Sequence, residues 1–207
     1  MKRLLGILVV LALAAGLAGP AVRADSSTDC FSEDLERRIQ GCTELIDRRD
    51  QSIDLSYAYA MRGLAFSIKG QYDTAIRDYD VAIALKPDFA IALNNRAWAY
   101  FRWGKAATGL PDVEKSLQLN ASSPHAFDTR AHIRHALGDP EGALSDYYSA
   151  LRHGGVPIAR LYQCGLRGLA FYDGEIDGIQ RPELTEALRK CAHDKACEPL
   201  PPGEKCP

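Results

Sequence analysis

His125, Asp128, His132 and His135 fall at offsets of 0, 3, 7 and 10, a spacing that puts all four on one face of a helix. Imidazoles and a carboxylate in that pattern are the side chains that bind zinc or copper. Offsets of 3 and 7 on one helix converge on an ion only with ligands from a second element, and the sequence supplies none. The four are therefore read as the polar face of a groove, and no metal or other cofactor is expected. The acidic loop Asp173-Gly-Glu175-Ile-Asp177-Gly178 has acids at positions 1, 3 and 5 and glycine at 6, as calcium loops do. Position 12 is Leu184, where such a loop needs a bidentate glutamate, so calcium binding is not expected. No Ser-His-Asp arrangement, phosphate loop or CxxC pair occurs, and no two acids have a spacing that implies acid–base work. The chain reads as a non-enzyme.

The elements that position these residues recur. Ser56 to Phe89 holds two amphipathic helical patterns joined by Lys69-Gly70-Gln71 and closed by Lys86-Pro87. Small residues at Gly63, Ala75 and Ala82 lie opposite large ones at Tyr59, Phe66 and Tyr79, as two closely packed antiparallel helices require. One hairpin cannot bury its apolar face alone, and two further copies follow, over 90–123 and 124–157. Leu93, Ala97, Tyr100, Gly109, Val113 and Ser116 hold the pattern positions in the second copy, although Gly109 weakens its second helix. Phe127, Ala131, Ala143, Tyr147 and Ala150 hold them in the third. Gly70, Gly104 and Gly138 recur every 34 residues, where a left-handed residue ends the first helix of each pair. With this period and small-large code, the chain resembles the tetratricopeptide repeat (TPR) family. The resemblance implies an all-α solenoid of helical hairpins.

The flanks differ. Lys2 and Arg3 precede an apolar run from Leu4 to Leu17, and Val22-Arg23-Ala24 suits cleavage after Ala24, so 1–24 is read as a signal peptide. Its run is too short for a comfortable membrane span, and no stable span is expected after cleavage. Cleavage removes three of 25 basic residues and no acid, leaving 22 against 27 acidic residues and a net charge of −5. With no Lys/Arg-rich tract left, nucleic-acid binding is not expected. Six cysteines follow the leader, Cys30, Cys42, Cys164, Cys191, Cys197 and Cys206. An even count in an exported chain points to disulfides in an oxidising compartment, a bacterial periplasm or the exterior.

Within 25–55, Arg38 to Ile46 aligns with Ala75 to Ile83, which makes this stretch a second helix without its partner. Cys42 then takes the place of Tyr79, and a Cys30–Cys42 bridge would tie the N-terminal segment over the exposed end as a cap. The segment 158–207 is read as a small, disulfide-stapled helical module with a Pro-rich tail, and Cys164–Cys191 with Cys197–Cys206 is the favoured pairing. Gln163, Leu166, Leu169, Phe171 to Gly174, Ile176 to Gly178, Pro182, Ala187 and Leu188 resemble the peptidoglycan-binding-domain-like repeat of bacterial envelope proteins. Ala170 and Arg181 replace that pattern's glycines. The same stretch, with Leu161 and Gly165, also reads as the closing helix of the solenoid.

In TPR arrays the first helices line the concave face. The resemblance therefore implies partner-binding positions at Tyr57 and Leu64, at Ile91, Asn94, Asn95, Trp98, Phe101 and Arg102, and at His125, Asp128, His132 and His135. The paired Lys/Arg residues of a carboxylate clamp are missing. Trp98 and Phe101 either anchor an apolar partner segment or pack between adjacent repeats. The expected function is a non-catalytic protein-binding scaffold. The alternative is an envelope tether whose C-terminal module contacts peptidoglycan.

Overall fold

The computed structural model describes residues 26–49, 54–200 and Cys206. The expected leader, 1–24, and the tail prolines Pro201, Pro202 and Pro207 lie outside the described residues. Nine helices and no strands occur among the described residues: α1 (Ser26–Cys30), α2 (Leu35–Arg48), α3 (Leu55–Ile68), α4 (Tyr72–Leu85), α5 (Ala90–Arg102), α6 (Ala106–Leu119), α7 (Pro124–Ala136), α8 (Pro140–Gly168) and α9 (Pro182–Ala192). None is long and apolar enough to cross a membrane.

Three hairpins, α3–α4, α5–α6 and α7 with the first half of α8, stack in order, and the first helices α3, α5 and α7 touch one another directly. Their starts are chemically marked. The side chains of Asp54, Ser123 and Asp139 accept bonds from backbone N–H groups of the first turn, and Pro124 and Pro140 occupy first-turn positions. Their turns are equally uniform, with Gly70, Gly104 and Gly138 at φ of 75°, 75° and 81°. A side chain there would strain the left-handed backbone that closes each first helix.

The core repeats with the sequence. Tyr79, Val113 and Tyr147, spaced by 34, are fully buried, and each faces a small residue of the preceding helix. A Cβ on Gly63 would sit 3.0 Å from the Tyr79 ring. α6 is unbroken around Gly109, so packing against α5 offsets the helix-propensity cost of that glycine. A Cβ on Gly109 would lie 2.7 Å from the Ala97 carbonyl oxygen, so glycine is what lets α5 and α6 approach. Gly109→Ala should therefore destabilise by about 1–3 kcal/mol, although alanine is the better helix former. A urea midpoint that rises in this variant would contradict the packing account.

Each hairpin is also riveted by an ion pair between its two helices. Arg62 donates from Nε and Nη2 to Asp78 (2.8 and 2.7 Å), Arg96 to Asp112 (2.7 and 2.7 Å), and Arg130 to Asp146 (2.8 and 2.7 Å). The same arginines reach back one repeat. Arg96 Nη1 donates to Asp80 at 2.6 Å and Arg62 Nη1 to Thr43 Oγ1 at 3.1 Å. Thr43 aligns with Asp80, so α2 stands where the second helix of a preceding repeat would stand. α1 folds against it, and Cys30 pairs with Cys42. A Cβ on Gly41 would lie 2.5 Å from the Cys30 nitrogen, so this end is closed tightly.

At the other end α8 kinks at Gly155 (φ 55°) and runs on to a fourth left-handed turn at Ala170 (φ 60°). Counting back six residues from each turn gives Leu64, Trp98, His132 and Cys164. The second half of α8 is thus a fourth first helix, and α9 packs on it.

Candidate functional site

The first-helix face is built by side chains of α3, α5 and α7. At its outer rim Ile91 is 61% exposed and Tyr57 39% exposed, with the Tyr57 ring 4.6 Å from Phe89 and Lys86 Nζ 4.8 Å above it. His125 is exposed, and Leu64, Asn94 and Asn95 are half-buried. Asn94 Nδ2 donates to Asn95 Oδ1 at 3.3 Å, so the two asparagines partly satisfy each other.

Deeper in the face, Trp98 and Phe101 pack between repeats. Their rings lie 5.3 and 5.6 Å from His132, whose ring is in turn 5.3 Å from Tyr147. Tyr147 meets Tyr162 edge-on at 5.6 Å, and Tyr162 donates its hydroxyl to Asp128 Oδ1 at 2.5 Å. Burial, with the Asp128 charge beside it, pushes the phenols of Tyr147 and Tyr162 well above their ordinary value. These groups form an aromatic column. His132 is 2% exposed, with Nδ1 bonded to the Asp128 backbone oxygen at 2.8 Å. The structure therefore separates the four helix-face residues: His125 faces out, Asp128 and His132 are interior, and His135 is half-buried. Among the described residues no three His, Cys, Asp or Glu side chains are placed to hold a metal ion.

Burial lowers the pKa of His135 below the ordinary 6.5, despite the upward pull of the neighbouring Asp194 backbone. The folded chain thus binds a proton here less readily than the unfolded chain. The contribution of His135 to stability is complete above that ordinary value and is lost as pH falls below it. Denaturation midpoints should decline between about pH 7 and about pH 5, and His135→Gln should flatten part of the decline.

Arg102 lies over Trp98 (5.7 Å) and pairs with Glu198 at 3.6 Å. Glu198 belongs to the C-terminal tail, and sequence reasoning placed nothing of that tail on this face. The tail's cysteines also depart from the expectation. Cys164 pairs with Cys206 and Cys191 with Cys197, rather than Cys164–Cys191 and Cys197–Cys206. The reason is local. A turn from Cys191 to Cys197, with Cys197 N bonded to the Asp194 oxygen at 3.0 Å, brings the nearer pair together at the end of α9. Cys164, on the fourth first helix, is then met only by the returning chain end.

The loop after α8 is organised from within. Gln163, fully buried, accepts from Gly178 N–H at 2.7 Å and donates to the Ile179 oxygen at 3.0 Å and to Asp177 Oδ1 at 3.2 Å. Arg181 takes the same carboxylate in a forked pair and, with the Ile179 N–H, holds the Asp177 pKa well below the usual range. Of the residues that carry the peptidoglycan-binding resemblance, Gln163, Tyr172, Asp177 and Gly178 are engaged in holding their own loop.

Comparison with known proteins agrees with this geometry. A TPR-repeat family model matches residues 63–104. The tetratricopeptide repeat protein 36 of Mus musculus is 30% identical over 136 residues, covering 64% of this chain and 72% of that protein. The chain belongs to the TPR family. The Hsp70-Hsp90 organizing protein 3 of Arabidopsis thaliana is 28% identical over 92 residues, 44% of this chain. This TPR chain spans only 16% of that relative's length. Among solved structures, the MamA RS-1 ArsTM double mutant superposes with a TM-score of 0.57 over 80% of this chain and 91% of that one, at 14% identity. That similarity concerns the fold alone.

Proposed function

We propose that this TPR protein is a non-catalytic adaptor of the bacterial periplasm or exterior, holding an extended segment of a partner protein on its first-helix face. The observation that carries this reading is the division of labour among its side chains. The repeat arginines, Arg62, Arg96 and Arg130, are spent on internal ion pairs that fix the scaffold. Apolar Ile91 and Tyr57 stand exposed on the same layer of first helices, where a partner would bury them. Relatives named for organising chaperones support a protein partner. Three disulfides, with no free cysteine among the described residues, support an oxidising compartment, as does the leader pattern of 1–24.

The test is affinity purification of the wild-type chain against Ile91→Glu and Leu64→Glu, two substitutions on exposed or half-buried positions. A partner retained by the wild type and lost by both variants is the expected result. Equal retention would move binding off this face. Sedimentation with purified peptidoglycan sacculi, with and without 158–207, addresses the tethering alternative. Cosedimentation that depends on 158–207 would favour it.

A further inference from the structure

The tail that follows α9 does not trail away from the solenoid. His193 Nε2 meets Glu141 Oε1 at 3.1 Å, at the start of α8. Asp194 then lies beside His135 of α7, and Glu198 pairs with Arg102 of α5. Pro199 is fully buried, and Leu200 packs on the core cluster around Tyr147 and Tyr162. The fit against the fourth first helix is close: a Cβ on Gly165 would lie 2.2 Å from the Pro199 oxygen. Cys206 finally bonds to Cys164, at the position that Leu64, Trp98 and His132 hold in the repeats. The non-helical stretch from His193 to Leu200 thus contacts first helices of the second, third and fourth units, touching two of the residues expected to meet a partner.

Its two disulfides differ in access. Cys191 and Cys197 are 1% and 4% exposed, within the core cluster, whereas in the other bridge Cys164 is buried at 7% and Cys206 is half-buried, so Cys206 offers the reachable sulfur. A thiolate attacks the sulfur it can reach, and exposed disulfides are the labile ones. A tethered segment competes at an effective concentration in the millimolar range, so an untethered peptide with a Kd of about 10 μM is displaced roughly 100-fold. Loosening one tether lowers that handicap.

We propose that residues 193–200 are a built-in occupant of the first-helix face, that the partner is an extended acidic segment with proline and an aliphatic residue competing for the same contacts, and that the Cys164–Cys206 disulfide sets the competition. In the opening step an external dithiol gives two electrons and two protons. It becomes a disulfide, and Cys164 and Cys206 become thiols. The proposal rests on the binding reading of this face, and its test separates the two.

Hydrogen exchange of the full chain, oxidised and after titration with dithiothreitol, reads the tail directly, and Cys164→Ser/Cys206→Ser gives the open form without reductant. The binding probe is a fluorescein-labelled peptide of residues 193–200 carrying Cys197→Ser. Opening should raise exchange at Glu198 and Leu200, which lie beyond the closed Cys191–Cys197 loop, at least tenfold with helical content unchanged, and the probe should bind the open form at least tenfold more tightly. Unchanged protection of 193–200 in both open preparations overturns the proposal and leaves the binding face standing. Loss of the helices together with the tail also overturns it, by making the disulfide a purely structural clamp. Free exchange of the tail with no gain in probe affinity overturns the competition and counts against the face itself.

Discussion

Asp146→Ala should destabilise the chain by about 3–5 kcal/mol, the range for removing one partner of a buried pair. Asp146 is 2% exposed and serves two guanidiniums, Arg130 in a forked pair and Arg134 Nη1 at 2.8 Å. Without it, both arginines keep their charge on surfaces that are mostly closed to water, and Arg134 is left with Asp139 at 4.0 Å. Urea denaturation followed by circular dichroism reads the loss. Asp73→Ala is the control, because its pair with Arg77 is exposed on both sides, and exposed pairs contribute about 0–1 kcal/mol. Equal effects of the two substitutions would remove the ion pairs from the account of stability. Replacing Arg130 and Asp146 together by apolar residues should cost less than Asp146→Ala alone, since it orphans one arginine instead of two and Arg134 keeps Asp139 in reach.

Gln163→Leu should cost about 2–4 kcal/mol, by leaving the Gly178 N–H and the Ile179 carbonyl without their buried partner. The loss should be local. Residues 171–181 exchange first, while α3 to α6, which Gln163 does not touch, keep their protection. The side chain is close in volume to its replacement, so a cavity is not the cause. If the loop stays protected in Gln163→Leu, the polar network does not hold it, and packing of Tyr172 and Leu184 does.

The architecture was largely legible in the sequence because its causes are local. A glycine every 34 residues, a small residue facing each large one and capping residues at helix starts are each readable without knowing what is distant. The ion pairs were equally legible and were missed. Arg62, Arg96 and Arg130, and Asp78, Asp112 and Asp146, recur with the same period, so extending the repeat comparison to charged positions would have found them. The face was harder. Helical offsets placed His125, Asp128, His132 and His135 together, but not how each is buried. That depends on Trp98, Tyr147 and Tyr162, which lie 34, 15 and 30 residues from His132 in the chain. The tail was legible as irregular and disulfide-stapled, but its path was not. Nothing in the composition of 193–200 says which surface it meets, and the three pairings open to four cysteines differ only in tertiary distance.

The central claim is that the first-helix face is where this protein holds its partner. A photo-crosslinking amino acid placed at Ile91, which is exposed on α5, tests it most directly against one placed at Gln118, exposed on α6. The account predicts a discrete adduct from Ile91 in intact cells, absent from Gln118 and lost when Leu64→Glu is added. Adducts of equal yield from both positions, or from Gln118 alone, would contradict it.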